Sequence, residues 1–121
     1  MSRDPADVLR AHVDRFNEAV RSHDYAGMVA GFAPEAEMAF EGVPVGPFVG
    51  REAIAAAYAS QPPRDEVRLL GVPVVERDAV ECAYAWASDA QATGRMILTV
   101  QDGLIVRLVV TFDPERHLLP S

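Results

Sequence analysis

The chain has 121 residues, a length typical of one small domain that can bury a hydrophobic core without disulfides or metals. Half of the residues are hydrophobic, 24% are charged, and the formal net charge is -7. This charge argues against a nucleic-acid or anionic-membrane partner, because both need a cationic surface. The single cysteine, Cys82, excludes an intrachain disulfide, and its apolar neighbours predict a small buried side chain rather than a reactive thiol.

Metal, membrane and export signals are not found in the sequence. No CxxC, HExxH or histidine cluster indicates a metal site, and no apolar stretch approaches the ~18 residues of a membrane span. The first ten residues, MSRDPADVLR, are charged and lack the apolar core of a signal peptide. We therefore expect one cytoplasmic domain over residues 1–121, with no metal and no membrane partner.

The first predicted element is a long helix. Asp4 and Pro5 suit a helix start, because aspartate caps free backbone N–H groups and proline fits the first helical position. An apolar stripe then recurs at spacings of four, three and four residues: Leu9, Val13, Phe16 and Val20. His12 lies at the edge of this stripe, and the helix is expected to stop near residues 22–23.

A shorter helix and a strand are predicted next. Asp24 is expected to cap the second helix and Pro34 to end it, because the residue before a proline avoids the α region. The buried side of this helix is predicted to consist of Tyr25, Met28, Val29 and Phe32. From Glu35 to Glu41 apolar and polar residues alternate, which predicts a half-buried strand with Ala36, Met38 and Phe40 on one face.

The middle of the chain is predicted to be a loop and a third helix. Residues 42–50 hold three glycines and two prolines, a composition typical of a loop. Residues 51–60 are rich in alanine and place Ile54 and Tyr58 one turn apart, which predicts a helix that prolines 62 and 63 close.

The second half is predicted to form a meander of four antiparallel strands. The candidate strands are rich in β-branched and aromatic residues, are separated by short polar turns, and cover residues 67–75, 79–88, 95–100 and 104–112. The Asp-Gly pair at 102–103 is a strong hairpin signal. Helices segregated from a mostly antiparallel sheet, in the order helix, helix, strand, helix, four strands, indicate an α+β fold.

Several short motifs stand in a distinctive order: RF at 15–16, DYAGMVAGF at 24–32, APEA at 33–36, GREAI at 50–54, Tyr58 and DGLI at 102–105. Their order and spacing resemble the nuclear transport factor 2-like superfamily, which includes ketosteroid isomerases and SnoaL-like polyketide cyclases. The resemblance covers almost the whole chain. It implies a cone in which a curved sheet and three helices enclose one deep apolar pocket, a shape that commonly holds small molecules.

The resemblance also implies a homodimer, because members of this superfamily often pair through the exposed face of the sheet. Two apolar runs could serve such an interface, Val72 to Val75 and Leu104 to Val106. Both runs could equally belong to the core.

The chemistry of ketosteroid isomerases needs three polar groups that this sequence lacks. In those enzymes a carboxylate moves the proton, while a tyrosine and a protonated aspartic acid stabilise the enolate oxygen. Carried over by the resemblance, the tyrosine position is Phe16, the base position is Phe40, and the aspartic acid position falls at or near Met96. Steroid isomerisation by the family mechanism is therefore not expected unless other residues take over these roles.

Four other side chains are candidates for acid–base chemistry, each beside a structural alternative. Glu41 points out of the pocket in a regular strand, but a bulge would turn it inward, where desolvation would raise its pKa. Tyr58 matches a pocket tyrosine of the isomerases, or is a plain core tyrosine. His12 lies one turn before Phe16 and could carry protons, or is structural. Asp113 matches a common family aspartate, or caps a turn.

The remaining wall of the implied pocket is apolar and aromatic: Phe16, Met38, Phe40, Trp86 and Met96. Such a wall favours a flat hydrophobic ligand such as a steroid, polyketide or terpenoid. Three functions stay open: an acid–base isomerase, cyclase or dehydratase, a non-catalytic binder of such a ligand, and a dimeric interaction module. No cofactor is implied, because residues 42–50 lack the G-x-G-x-x-G spacing and a following βαβ unit.

Overall fold

The computed structural model describes residues 4–89 and 91–112, which form three helices and six strands. The helices are α1 (Pro5–Ser22), α2 (Ala26–Val29) and α3 (Arg51–Ser60). The strands are β1 (Phe32–Glu41), β2 (Phe48–Val49), β3 (Val67–Glu76), β4 (Ala79–Trp86), β5 (Gly94–Gln101) and β6 (Leu104–Thr111). The predicted α+β class is confirmed, and the predicted order of elements holds with one strand, β2, added inside the predicted loop.

The six strands form one sheet in the order β2-β1-β6-β5-β4-β3. Strands β3 to β6 are the predicted antiparallel meander, and their β5–β6 turn places Asp102 and Gly103 at φ 53° and 79°. This positive φ suits the Asp-Gly pair of a tight hairpin. Strand β1 is different, because it joins the meander in parallel with β6, with Met38 beside Leu108 and Phe40 beside Val110.

Helix α1 forms as predicted and covers the sheet. The Asp4 carboxylate accepts from the Ala6 backbone N–H at 2.9 Å, and the helix ends at His23 in the left-handed conformation. Its buried side includes Leu9 and Phe16. Asn17 ties α1 to the sheet, since its side-chain amide exchanges two hydrogen bonds of 2.8 Å with the backbone of Val67.

The boundary between the second helix and the first strand was predicted wrongly. Helix α2 covers only Ala26–Val29, and β1 begins at Phe32, before Pro34 rather than after it. The reason is tertiary: Phe32 pairs with Ile105 of β6, and the register then shifts before Glu37. Pro34 lies in this irregular stretch, where a proline is tolerated because no regular ladder needs its N–H.

The core fills the space between the helices and the concave side of the sheet. Its largest fully buried side chains are Tyr84, Phe32, Leu9, Met28, Met38, Ile54, Leu98, Ile105, Leu108 and Val80. Cys82 is buried as predicted, its thiol lies 3.4 Å from the Leu70 carbonyl oxygen, and burial raises the pKa of this thiol.

Gly94 generates the first prediction, because β6 passes unusually close to it. A Cβ at this position would lie 1.8 Å from the carbonyl oxygen of Thr111, a backbone atom that cannot swing away. We expect Gly94→Ala to lower the free energy of unfolding in urea by about 3 kcal/mol, the upper end of the usual cost of overpacking.

Gly27→Ala is the matched control, because a Cβ at Gly27 of α2 meets nothing within 4 Å and alanine favours the helix. We expect this variant to be as stable as the parent protein or slightly more so. A Gly94→Ala variant with an unchanged urea midpoint would contradict the close approach of the Thr111 carbonyl to Gly94.

Candidate functional site

An interior cavity of about 180 Å³ lies between α1, the end of α3 and the sheet. Its wall is mostly apolar and aromatic, with one histidine, one glutamine and two tyrosines among the lining side chains. The lining residues are His12, Phe16, Phe40, Tyr58, Gln61, Pro63, Val67, Tyr84, Trp86, Met96, Leu108, Val110 and Phe112.

Most of the predicted pocket residues meet at this cavity. Phe16, Phe40, Trp86 and Met96 line it, so the three residues that the resemblance assigns to the polar positions of ketosteroid isomerases, Phe16, Phe40 and Met96, contribute apolar side chains to one wall. Met38 does not line the cavity. Its side chain is fully buried behind the wall, where its Sδ accepts from a tyrosine hydroxyl at 3.5 Å.

His12 is the polar group with the most unusual surroundings. The side chain projects from α1, is only 4% exposed, and packs edge-on against Phe32 with ring centroids 5.5 Å apart. Burial lowers the pKa of this imidazole to about 4, and the nearby charge of Arg15 acts in the same direction. No residue within 4–89 or 91–112 forms a hydrogen bond with the ring. At neutral pH His12 is therefore an uncharged imidazole on the cavity wall, with no hydrogen-bond partner among the described residues.

Tyr58 lies on α3 and faces α1, the helix that carries His12. Its ring packs edge-on against Phe16 at 6.4 Å and stacks on Tyr25 at 5.4 Å, with 14° between the ring planes. The hydroxyl donates to the Sδ of Met38, which is a weak acceptor. Burial raises the pKa of Tyr58 well above its usual value, and Tyr25 adds to the rise, so the phenol stays a hydrogen-bond donor throughout the neutral range.

Tyr84 was missed by the sequence prediction although it lines the cavity. Its hydroxyl donates to the backbone carbonyl of Thr111 at 3.0 Å, and burial raises its pKa. Strand alternation could have found it, because Cys82, Tyr84 and Trp86 have the same parity on β4 and Trp86 was already expected in the pocket. Gln61 had no comparable signal, since it follows the last turn of α3.

Glu41, another predicted acid–base residue, does not line this cavity. Glu41 follows Phe40 in β1 without turning inward, is exposed, and lines a separate surface depression with Arg95 and Thr111. The inward orientation that a bulge would have produced is therefore corrected: regular alternation carries the carboxylate to the outer side. Asp113 lies outside the described residues.

The chemistry that the described lining residues offer is that of uncharged groups. Within the described ranges, no cluster of three or more His, Cys, Asp or Glu side chains is placed to hold a metal ion. In the same part of the chain, no helix is both long and apolar enough to cross a membrane. In these apolar surroundings the neutral imidazole of His12 can accept a proton, and the Tyr58 hydroxyl, held only by a weak acceptor, can donate a hydrogen bond to an oxygen atom.

Comparison with known proteins agrees with this architecture. The family model of the SnoaL-like domain matches residues 13–108. A proposed isomerase of the SnoaL-like family from Agrobacterium tumefaciens is 19% identical, with a TM-score of 0.69 over 88% of this chain and 95% of that one. A proposed polyketide cyclase from Sinorhizobium meliloti is 20% identical, with a TM-score of 0.60 over 83% and 93%.

A further structural match is a computationally designed 17-OHP binder, 16% identical with a TM-score of 0.70 over 94% of this chain and 95% of that one. No curated protein matches the chain. At these identities the solved structures establish the shared fold alone.

The second prediction concerns the buried imidazole and acid stability. Because the pKa of His12 falls from 6.5 to about 4 on folding, the unfolded chain binds the proton more tightly. Stability is therefore complete above pH 6.5 and falls as the pH approaches 4, by about 3 kcal/mol from this group. In His12→Leu we expect this part of the pH dependence to disappear from urea unfolding curves recorded between pH 7 and pH 4.

His23→Asn is the control, because it removes an exposed histidine while asparagine tolerates the left-handed conformation at the end of α1. This variant should keep the parent pH dependence. If His12→Leu loses as much stability between pH 7 and pH 4 as the parent, His12 is not the buried neutral group described above.

Proposed function

Because the chain belongs to the SnoaL-like domain family, we propose that it is a cofactor-independent acid–base enzyme acting on a small hydrophobic metabolite in the interior cavity. The observation that carries this proposal is the state of His12. Buried polar groups are normally hydrogen-bonded, and a structural histidine would have a partner. His12 has none among the described residues and lies on the cavity wall, where a ligand can reach it.

The simplest reaction for this set of groups is a 1,3-proton shift next to a carbonyl. An imidazole nitrogen of His12 removes the proton from the carbon between the carbonyl and the double bond, and the electron pair moves toward the oxygen. The Tyr58 hydroxyl stabilises the dienolate by a hydrogen bond, and the imidazolium returns the proton to the far end of the diene. The same base and donor would serve a cyclase or a dehydratase.

The volume of the cavity narrows the ligand class. A cavity of about 150 Å³ is large enough for benzene, whereas sites for drug-sized ligands measure ~300–1,000 Å³. With about 180 Å³, the cavity fits a single ring better than a fused steroid or polyketide skeleton. Among the classes expected from the sequence, a monocyclic terpenoid-like ketone agrees best with this size.

A non-catalytic binder is the second candidate. It is favoured by the apolar side chains of Phe16, Phe40 and Met96 on the cavity wall, at the positions that the resemblance assigns to the polar groups of the isomerases. An apolar wall retains a hydrophobic ligand by burial alone and needs no proton transfer. The presence of His12 in that wall leads us to prefer the enzyme. The cytoplasmic location expected from the sequence stays a prediction.

The third prediction tests the reaction with cyclohex-3-enone, a one-ring ketone whose isomerisation to cyclohex-2-enone is followed by ultraviolet absorbance. We expect the parent protein to catalyse this isomerisation. Its kcat/KM should rise with pH near pH 4, where His12 loses its proton, and should stay constant from there to neutral pH. His12→Leu should lose about 100-fold or more in kcat, the usual contribution of a general base.

The control variant is His23→Asn, which should retain full activity. Binding is measured separately through the fluorescence of Trp86, the only tryptophan of the chain, which lines the cavity. Saturable quenching without isomerisation would contradict the enzyme and favour the binder. An unchanged Trp86 signal would contradict both.

We also propose that two copies associate through the sheet, and this generates the fourth prediction. Val72 and Val74 of β3 are 84% and 67% exposed, whereas Ile105 of the alternative run is 1% exposed and belongs to the core. Sedimentation velocity should therefore give twice the 13.1 kDa chain mass, and Val72→Lys with Val74→Lys should give the single chain mass. Val45→Lys, another exposed valine, is the control. A parent protein that sediments as a monomer contradicts the proposal.

A further inference from the structure

Tyr58 lies where three separate spaces meet. One is the interior cavity of about 180 Å³. The second, the outer groove, measures about 450 Å³ and runs between residues 44–48 and the end of α3, where Ser60 lines it. The third is a groove of about 790 Å³ between α2 and α3. Tyr58 is the residue that lines all three, so its side chain separates the ligand cavity from much larger volumes.

The Tyr58 side chain is held by ring packing rather than by strong hydrogen bonds. Within the described part of the chain, its hydroxyl has the thioether of Met38 as its one acceptor, at 3.5 Å. The ring that stacks on it, Tyr25, has a buried hydroxyl without a partner among the described residues. Among the described residues, no hydrogen bond to oxygen or nitrogen fixes this part of the wall, so the bulk of the Tyr58 ring separates the cavity from the grooves.

The rest of the wall between the cavity and the outer groove is of a different kind. Phe40 also lines both spaces, but it is fixed between Phe48 and Phe112, each with ring centroids 6.4 Å away. Gln61 lines both as well and is exposed. Removing the Tyr58 ring is thus the smallest change that would join the cavity to the outer groove while leaving the contacts of Phe40 with Phe48 and Phe112 in place.

We propose that Tyr58 is the specificity-determining residue of this site and that its ring limits the ligand to one ring. A small residue at this position joins the cavity to the outer groove and admits a fused two-ring ligand. This inference rests on the proposed function in one respect, that the ligand occupies the interior cavity. Beyond the proposed function, the inference specifies the size of the ligand and names Tyr58 as the side chain that limits this size.

The fifth prediction uses p-cresol as the one-ring probe and 2-naphthol as the two-ring probe, titrated calorimetrically. The parent protein should bind p-cresol at least tenfold more tightly than 2-naphthol. Tyr58→Ala should bind 2-naphthol at least tenfold more tightly than the parent does. Tyr58→Phe keeps the ring and removes only the hydroxyl, so it should keep the parent's size limit.

Two further variants keep the test decisive. Ser60→Trp, added to Tyr58→Ala, should fill the outer groove and restore the size limit, which a general loosening of the fold would not explain. Tyr58→Leu replaces Tyr58→Ala if circular dichroism shows that the alanine variant does not fold. A parent protein that binds 2-naphthol as tightly as p-cresol, or a folded Tyr58→Ala variant without the gain, would overturn the inference.

The outcomes also separate this inference from the proposed function. Binding of p-cresol without isomerisation of cyclohex-3-enone contradicts the enzyme and leaves the size limit to be decided by the variants. If the parent binds neither probe and Tyr58→Ala binds 2-naphthol, the one-ring ligand is wrong and the role of Tyr58 as the limiting wall is supported. If no variant binds either probe, the inference is overturned.

Discussion

The parallel pairing of β1 with β6 is the constraint on which the rest of the molecule depends. It joins the helical first half of the chain to the antiparallel second half, with Phe40 beside Val110. Parallel neighbours cannot be linked by a tight turn, so the chain between them must cross over, here through α3 and the meander. The same pairing sets Phe40 and Val110 side by side on the wall of the cavity. The site therefore exists only once the two halves have come together.

The interior favours uncharged groups. Burial lowers the pKa of His12 and raises the pKa values of Tyr58 and Tyr84, so each group is held in its neutral form at pH 7. Of the two carboxylates considered for the site, Glu41 stays on the outside of the sheet, and Asp113 lies outside the described residues. This distribution follows from the cost of burying an unpaired charge. The described residues therefore offer the cavity a neutral base and a neutral donor for proton transfer.

Elements that depend on local sequence patterns were predicted well, whereas features that depend on pairing between distant strands were predicted poorly. Helices α1 and α3 and the meander follow from apolar spacing, caps and turn residues, and the structure has them near the predicted bounds. The early start of β1 could not be foreseen, because only its partner strand makes a strand through Pro34 acceptable. Phe16, Phe40, Trp86 and Met96 meet at one cavity, whereas Met38 lies behind its wall. The Tyr25–Tyr58 stack could not be predicted, because Tyr25 precedes α2, Tyr58 lies in α3, and only the tertiary fold brings the two rings together.

The buried thiol of Cys82 is a natural probe for local opening of the sheet. The sulfur lies inside β4, opposite Met96 of β5, and burial raises its pKa, so dissolved reagents cannot attack it while the strands stay paired. Because no other cysteine is present, every modified molecule has opened at this one place. The rate at which a thiol reagent modifies the native chain thus measures how often the strands around Cys82 open locally. No cysteine has to be introduced for this measurement.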